Sequence, residues 1–342
     1  MNEPRDHLAA NSHRPAIAIT MGDPAGVGPE LCGRLLATPE ILAACRPVVF
    51  GDSAVLERVT TKLGISFSAS RISTDQDWGL LEDAAVVDVQ SIDLDSLEPG
   101  QVTKQTGQVS FAYIEAAIEA AIAGNVQGVT TCPINKQAWN LAGITFPGHT
   151  ELFAERFQSD RFCMMMTSPQ FSCSLVTTHV GYGEVPKLLV PERIVEVIEL
   201  THHALEKILG RTPRLAALGL NPHAGENGLF GEGEEARIEA AIDQAKKLGI
   251  QIEGPLPPDT AFLPWRREQT DGFICMYHDQ GLIPFKAFNF DTGVNVTLGL
   301  SSVRTSVDHG TALDIAWQGT ADVSSLIAAT RLASSLASNR TA

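Results

Sequence analysis

No apolar run in this sequence approaches the ~20 residues that a transmembrane helix requires, so a helical membrane-spanning role is excluded and a soluble protein is expected. Basic charge is scarce. Against 40 Asp and Glu stand 25 Lys and Arg, giving a formal net charge of −15 and a pI near 5.0. No Lys/Arg-rich block occurs, so a nucleic-acid partner is not expected, and a phosphorylated ligand must find local positive charge against an acidic background. Residues 1–14, MNEPRDHLAANSHR, lack the apolar stretch of a signal peptide, and a cytoplasmic location is expected. Cysteine is sparse and unpaired in sequence: Cys32, Cys45, Cys132, Cys163, Cys173 and Cys275 form no C-x-x-C unit. Several sit within apolar runs, which marks them as small buried hydrophobes and not as disulfides or thiolate metal ligands. Repeats and low-complexity tracts are absent too.

What is present is a steady alternation of short apolar runs with longer amphipathic ones, the signature of an α/β chain of one or two domains. Strands are expected at 16–20, 47–50, 85–87, 128–131, 171–178, 215–220 and 273–276. A helix over 111–123 places Phe111, Ile114, Ile118 and Ile122 on one face and stops at Gly124. A second, over 234–248, buries Ile238, Ala241, Ile242, Ala245 and Leu248. It opens on Glu234 and Glu235, near the positive end of its dipole. Residues 68–101 are the least regular stretch and are expected to be a loop-rich edge.

The first strand runs into MGDPAGVGPE, residues 21–30, and then into an apolar helix beginning near Leu31. Strand, glycine loop and helix start together suggest a ligand site. The dinucleotide fingerprint nevertheless fails, because Gly26 and Gly28 require a third glycine where Leu31 stands, and no Gly-Lys pair completes a Walker loop. A plain turn leading to Pro29 in the first helical turn is the alternative.

Three histidines end apolar runs: CSLVTTH at His179, LAALGLNPH at His223 and GFICMYH at His278. Ligand crevices of open α/β sheets lie beyond the carboxyl ends of strands, so three segments deliver imidazoles to one edge. Three neutral imidazoles suit a divalent metal that keeps positions open for water or substrate. Asp279 and Asp259 stand beside them, as partners for an imidazole or substrate, or as a helix cap and a turn residue.

Lys286, Asn295 and Arg304 are the polar groups of a segment otherwise apolar and glycine-rich. A Lys point charge and an Arg fork suit phosphate or carboxylate. In FPGHTE, Thr150 is a candidate helix cap or substrate contact, and His149 has no apolar partner nearby and can exchange a proton near neutrality. His149, Lys286 and Asp259 are the candidate catalytic groups.

Together GDPAGVGPE, PINK, FPGHTE, TTH, GLNPHAGE, GPLPPDT, MYHDQG and GVNVTLGLSSVRTSVDHGTA resemble, in order and spacing, the 4-hydroxythreonine-4-phosphate dehydrogenase family of vitamin B6 synthesis. The resemblance runs from about residue 16 to about residue 335. It implies a two-lobed α/β/α fold like that of isocitrate and isopropylmalate dehydrogenases, not a Rossmann fold. Residues 1–140 with 300–342 would form an outer domain, and 141–299 a central domain with the metal ligands and dimer interface. It further implies a homodimer with a shared active site, a divalent cation (Zn, Mg, Mn or Co) on His179, His223 and His278 with one ligand crossing the interface, and substrate on His149, Thr150, Lys286, Asn295 and Arg304. The segment SVDHGTALDIA looks like the loop that cradles the adenine end of the cofactor in isopropylmalate-type dehydrogenases, which marks His309, Gly310, Thr311 and Ala312 for NAD or NADP. The implied reaction is oxidation with decarboxylation of 4-phosphooxy-L-threonine to an amino-ketone phosphate. Ser301, Ser302 and Trp317 depart from the family pattern and leave the substrate open. Threonate or erythronate 4-phosphate and aromatic cis-dihydrodiols are the alternatives within the class. A non-catalytic binder of a phosphorylated ligand and a phosphate acyltransferase are those outside it.

Overall fold

The computed structural model describes residues 14–74, 82–89, 92–289 and 292–338. The chain divides into two compact units, one comprising the residues up to Phe157 with those from Ser302 onward, the other Gln158–Ser301. Residues 141–157, expected in the central domain, therefore pack with the first unit.

In the first unit β1 (Ala16–Thr20), β2 (Arg46–Gly51), β3 (Ser70–Ser73), β4 (Ala85–Asp88), β5 (Gly128–Thr131) and β12 (Val303–Val307) lie in the order β3–β4–β2–β1–β5–β12, all parallel. Every residue of β1, β5 and β12 is buried. Burial on both faces is expected where helices cover both sides of a parallel sheet. The covering helices include α1 (Gly28–Leu36), α3 (Ser53–Leu63), α4 (Lys104–Ile122) and α12 (Ser324–Ser338). A reciprocal Thr103–Thr106 capping box starts α4 seven residues before the apolar spacing becomes readable. Its buried stripe runs through Val109, Tyr113, Ile114, Ala117 and Ile118, while Ile122, expected on that face, is 59% exposed. Close approach to α5 (Lys136–Leu141) requires a glycine at 107, where a Cβ would fall 2.1 Å from the Ala138 carbonyl oxygen.

In the second unit β6 (Cys163–Thr167), β7 (Ser172–Leu175), β8 (Leu215–Leu218), β9 (Ile252–Leu256), β10 (Gly272–Cys275) and β11 (Val294–Leu298) lie in the order β11–β6–β7–β10–β8–β9. The pairs β11/β6 and β6/β7 are antiparallel, and the rest are parallel. Met166, Phe171, Cys173, Leu218, Phe273 and Phe285 form the heart of its core, with the Phe171 ring 5.8 Å from Phe273 and 5.5 Å from Phe285. Each such buried side chain stabilises the fold by about 1.5–3 kcal/mol. The helices are α7 (Val185–Leu188), α8 (Pro191–Leu209), α9 (Glu234–Lys247), α10 (Pro264–Gln269) and α11 (His278–Asn289). Along α9 the expected Ile238, Ala241, Ile242 and Ala245 are buried, whereas Leu248, just past its end, is 56% exposed.

All six cysteines are free and buried. Among the described residues no helix is long and apolar enough to cross a membrane. The irregular stretch 68–101 carries β3 and β4, and residues 75–81 and 90–91 within it lie outside the described residues.

Candidate active site

Strands β7, β10 and β8 are neighbours and parallel, so the segments that leave them emerge at one edge. His179 follows β7, His278 opens α11 after β10, and His223 lies beyond β8. The rings of His179 and His278 approach to 5.8 Å between centroids. The Nδ1 of His278 lies 2.7 Å from Oδ1 of Asp279. A carboxylate there accepts the Nδ1–H and leaves the Nε2 lone pair available to a cation. The other Asp279 oxygen accepts the Tyr182 hydroxyl at 2.6 Å. That hydroxyl first, and His278 second, hold the Asp279 carboxyl below the usual carboxylate range, and the same bond raises the Tyr182 phenol. Thr178, His179, Tyr182, Tyr277, His278 and Asp279 line a concavity of about 290 Å³.

His223 is exposed and opens a left-handed stretch, with φ of 53° at His223, 51° at Ala224 and 43° at Glu226. Such φ values are uncommon for non-glycine residues. The stretch is tied down at both ends of Glu235, whose carboxylate accepts the Asn221 backbone N–H at 2.8 Å and the Asn221 amide at 3.3 Å. Among the described residues no three His, Cys, Asp or Glu side chains are arranged to hold a metal ion. Two of the three expected imidazoles are thus brought together within the chain, and His223 is not joined to them. Asp259 occupies an exposed turn after β9. The pair that does meet, with a carboxylate fixing one tautomer, is a donor set that fits half of a catalytic divalent site.

The first unit holds a second polar cluster. Arg304, on β12, is only 2% exposed. Its Nη2 donates to Thr131 Oγ1 at 2.8 Å, and the guanidinium lies 5.5 Å over the Phe153 ring. Burial pushes its pKa down to about 9, with Glu151 acting in the opposite sense. His149 is the first residue of α6 (His149–Arg156), next to Thr150. Gly148 takes the cap position, so Thr150 lies inside the first turn and does not cap the helix. Burial, then the positive charges of Arg304 and Lys136, drive the His149 imidazole well below its ordinary pKa. It is a neutral ring at pH 7, and its buried Nε2 has no hydrogen-bond partner, an unmet need that a polar ligand satisfies. Lys136 and Tyr182 were not assigned from sequence. The motif PINK contains the lysine, but only the fold puts its charge on His149.

Lys286 is half-buried on α11. Asn295 lies on β11 opposite Met166, donates Nδ2 to Met164 Sδ at 3.6 Å, and keeps a buried Oδ1 without a hydrogen-bond partner.

The glycine loop proves to be more than a turn. Gly22 has φ +71° and its Cβ would fall 2.3 Å from the Pro133 carbonyl oxygen, so only glycine fits. Val27 N–H donates to the Thr311 carbonyl at 3.0 Å. Trp317 Nε1 donates to the Pro24 carbonyl at 3.1 Å, and the buried Glu30 carboxylate accepts the backbone N–H groups of Gly319 and Ala321. The loop is therefore the floor of the segment carrying His309, Gly310, Thr311 and Ala312. In that segment His309 Nδ1 lies 2.9 Å from the Gly310 carbonyl, and its buried Nε2 has no hydrogen-bond partner. Ala312 is left-handed, with φ 43°. A ring nitrogen held this way fits a nucleotide base or ribose as its missing partner.

The family model described as "Pyridoxal phosphate biosynthetic protein PdxA" matches residues 43–333. The chain belongs to this family. It is 44% identical to a 4-hydroxythreonine-4-phosphate dehydrogenase of Desulforapulum autotrophicum, over 94% of this chain and 95% of the relative. It is 43% identical to a putative D-threonate 4-phosphate dehydrogenase of Oceanobacillus iheyensis, over 95% and 99%. A crystal structure of 4-hydroxythreonine-4-phosphate dehydrogenase from Klebsiella pneumoniae superposes with a TM-score of 0.81 at 38% identity, covering 95% of this chain and all of that one. Membership makes the chain an oxidoreductase, with the α/β, non-Rossmann fold of this family. The matched span includes every candidate ligand from His149 to Ala312 and leaves β1 and the glycine loop outside it.

Proposed function

We propose that the chain is an NAD-linked, divalent-metal-dependent dehydrogenase that oxidises and decarboxylates 4-phosphooxy-L-threonine to an amino-ketone phosphate, on the way to pyridoxal 5′-phosphate. The observation that carries this reading is the His179–His278 pair at the carboxyl ends of parallel strands, with Asp279 on the Nδ1 of His278. His179 and His278 would hold the cation from one subunit, with His223 as the third ligand across a homodimer interface. Bound there, a divalent cation (Zn, Mg, Mn or Co) supplies Lewis acidity to the substrate alcohol and carbonyl, and the nicotinamide supplies a hydride acceptor.

The chain's own residues do the rest. Arg304 and Lys286 would meet anionic groups of the substrate, and the buried Oδ1 of Asn295 would accept a hydrogen bond from a substrate hydroxyl or ammonium. Thr150 in the first turn of α6 adds a hydroxyl. His149, kept neutral by burial and by its cationic neighbours, has an Nε2 available to exchange a proton with the substrate alcohol. Asp259 and Lys286 are the other candidates for proton transfer. His309, Gly310, Thr311 and Ala312 would seat the adenosine half of NAD or NADP.

The test is a panel of 4-phosphooxy-L-threonine, D-threonate 4-phosphate, D-erythronate 4-phosphate and an aromatic cis-dihydrodiol, each with NAD or NADP and with Zn²⁺, Mg²⁺, Mn²⁺ or Co²⁺. Reduced nicotinamide is followed by absorbance. The first substrate is expected to give the highest kcat/KM. D-Threonate 4-phosphate as the better substrate would move the chain to the second reading, which its nearly equal identity to a relative of that name supports. Ligand binding with no reduction of cofactor in any combination would sink the enzymatic reading.

A further inference from the structure

Two features of the segment after β7 are not explained by holding a cation. One is Tyr182, whose ring is 68% exposed and yet whose hydroxyl makes a 2.6 Å bond to Asp279, 97 residues away in sequence. The other is the pair Gly181 and Gly183 on either side of it. A Cβ at either would meet nothing within 4 Å, so neither glycine serves packing. Between them the tyrosine sits in a short hydrogen-bonded turn, with the Glu184 N–H donating to the Gly181 carbonyl at 2.9 Å.

Asp279 needs a second anchor. Its side chain is 43% exposed, and an exposed carboxylate with one hydrogen bond rotates among several rotamers. With Oδ1 on His278 and Oδ2 on the Tyr182 hydroxyl, both oxygens are committed and the plane of the carboxylate is fixed. The Tyr182 ring is steadied in turn by an edge contact with Tyr277, at 5.7 Å and 85°. The two anchors come from two separate segments that line the same concavity, residues 178–182 and residues 277–279.

We propose that Tyr182 is a positioning residue for the metal ligand His278, acting through Asp279: its hydroxyl fixes the carboxylate that fixes the imidazole tautomer and ring plane. The proposal rests on the reading of His179 and His278 as metal ligands. Groups that orient a ligating histidine typically change metal affinity by about 10- to 100-fold, and a residue one hydrogen bond further out is expected to change it by about 3- to 10-fold.

The test uses the intact protein with Co²⁺ and Zn²⁺ alone as probes, titrated by calorimetry and by Co²⁺ visible absorption. Tyr182→Phe keeps the ring and removes the hydroxyl. It is expected to weaken Co²⁺ and Zn²⁺ binding by about 3- to 10-fold, to shift the Co²⁺ ligand-field bands, and to leave the melting temperature unchanged. Asp279→Asn is expected to weaken binding more, and Tyr182→Phe on that background to add nothing, because the hydroxyl acts only through the carboxylate. Binding and bands of Tyr182→Phe equal to those of the parent protein would overturn the proposal and leave the metal reading standing. Losses that add in the double variant would overturn it as well. Absence of His278-dependent Co²⁺ binding in the parent protein would overturn the metal reading and the proposal with it.

Discussion

Val27 donates its backbone N–H to the carbonyl of Thr311 at 3.0 Å, across 284 residues of sequence, and so joins the first glycine loop to the segment proposed to seat the cofactor. Gly26 lies against the same residue: a Cβ there would stand 2.9 Å from the Thr311 carbonyl oxygen and 3.1 Å from its Cβ. The contact is backbone against backbone, so it cannot be relieved by a rotamer change.

Gly26→Val is therefore expected to push the 309–312 segment away and weaken NAD binding by about tenfold, or about 1.4 kcal/mol. The change should appear in the dissociation constant, measured by calorimetry, with metal affinity unaltered. An unchanged dinucleotide affinity would separate this loop from the cofactor site.

This assembly also shows why part of the molecule was legible in sequence and part was not. Strands β1 and β5 were readable because each is a short uncharged run rich in β-branched residues, with both faces buried. Strands β3, β6, β9, β11 and β12 were not. β3, SRIS, is mostly exposed, and β9, IEGPL, carries glycine and proline. β12, VRTSV, buries an arginine, and its polar residues are buried because Arg304 meets Thr131 and Thr305 meets Thr130 and Ala329. Polar partners that distant are set by the fold. The histidines were legible as strand-end residues because β7, β8 and β10 are parallel neighbours. The left-handed turn that carries His223 is not encoded by apolar periodicity. The hydroxyl of Tyr182 acquires its role only through Asp279, 97 residues away, and the charge of Lys136 acts on His149, 13 residues on, only once the fold brings the two together, so no local pattern announces either.

Arg304 is a buried cation, so removing it is expected to affect substrate binding and stability in opposite directions. Arg304→Met fills similar volume and removes a cation whose burial already lowers its pKa, so the cost of desolvating that charge disappears. The variant is expected to keep or raise its melting temperature while KM for the phosphorylated substrate rises by at least about 30-fold, the lower end of what losing a buried charge-assisted contact costs. A melting temperature that falls with KM unaltered would make Arg304 a structural residue.

Asp271 contributes to the acid limb of stability. Burial raises its pKa, but the hydrogen bonds from Arg211 at 2.8 Å and from the Arg214 side chain and backbone outweigh it and hold the carboxyl well below the usual range. A depressed folded-state pKa contributes stability above the unfolded value of 3.8, and that stability is lost as pH falls through the folded value. Asp271→Asn is expected to lower the urea midpoint at pH 7, with the difference from the parent protein shrinking steadily below pH 3.8. A difference that persists unchanged into strong acid would assign the effect to packing.

Asp23, in the glycine loop, has the reverse sign. Burial raises its pKa from 3.8 to about 6, against the lowering effect of the Ala25 N–H and of Thr106. The folded state thus binds this proton more tightly than the unfolded chain does, so stability is full below pH 3.8 and declines as pH rises through about 6. The window corresponds to at most about 3 kcal/mol, from a conversion of about 1.36 kcal/mol per pKa unit. Asp23→Asn keeps an oxygen for the Ala25 N–H, at 2.9 Å in the parent protein, and carries no charge to desolvate. The variant is expected to match the parent near pH 4 and to exceed it in urea stability near pH 8, with the gap opening between those limits. A gap of the same size at both ends would show that the carboxyl does not titrate on unfolding, and a variant less stable at pH 8 would show that its negative charge is needed beside the Pro24 carbonyl that accepts the Trp317 indole N–H.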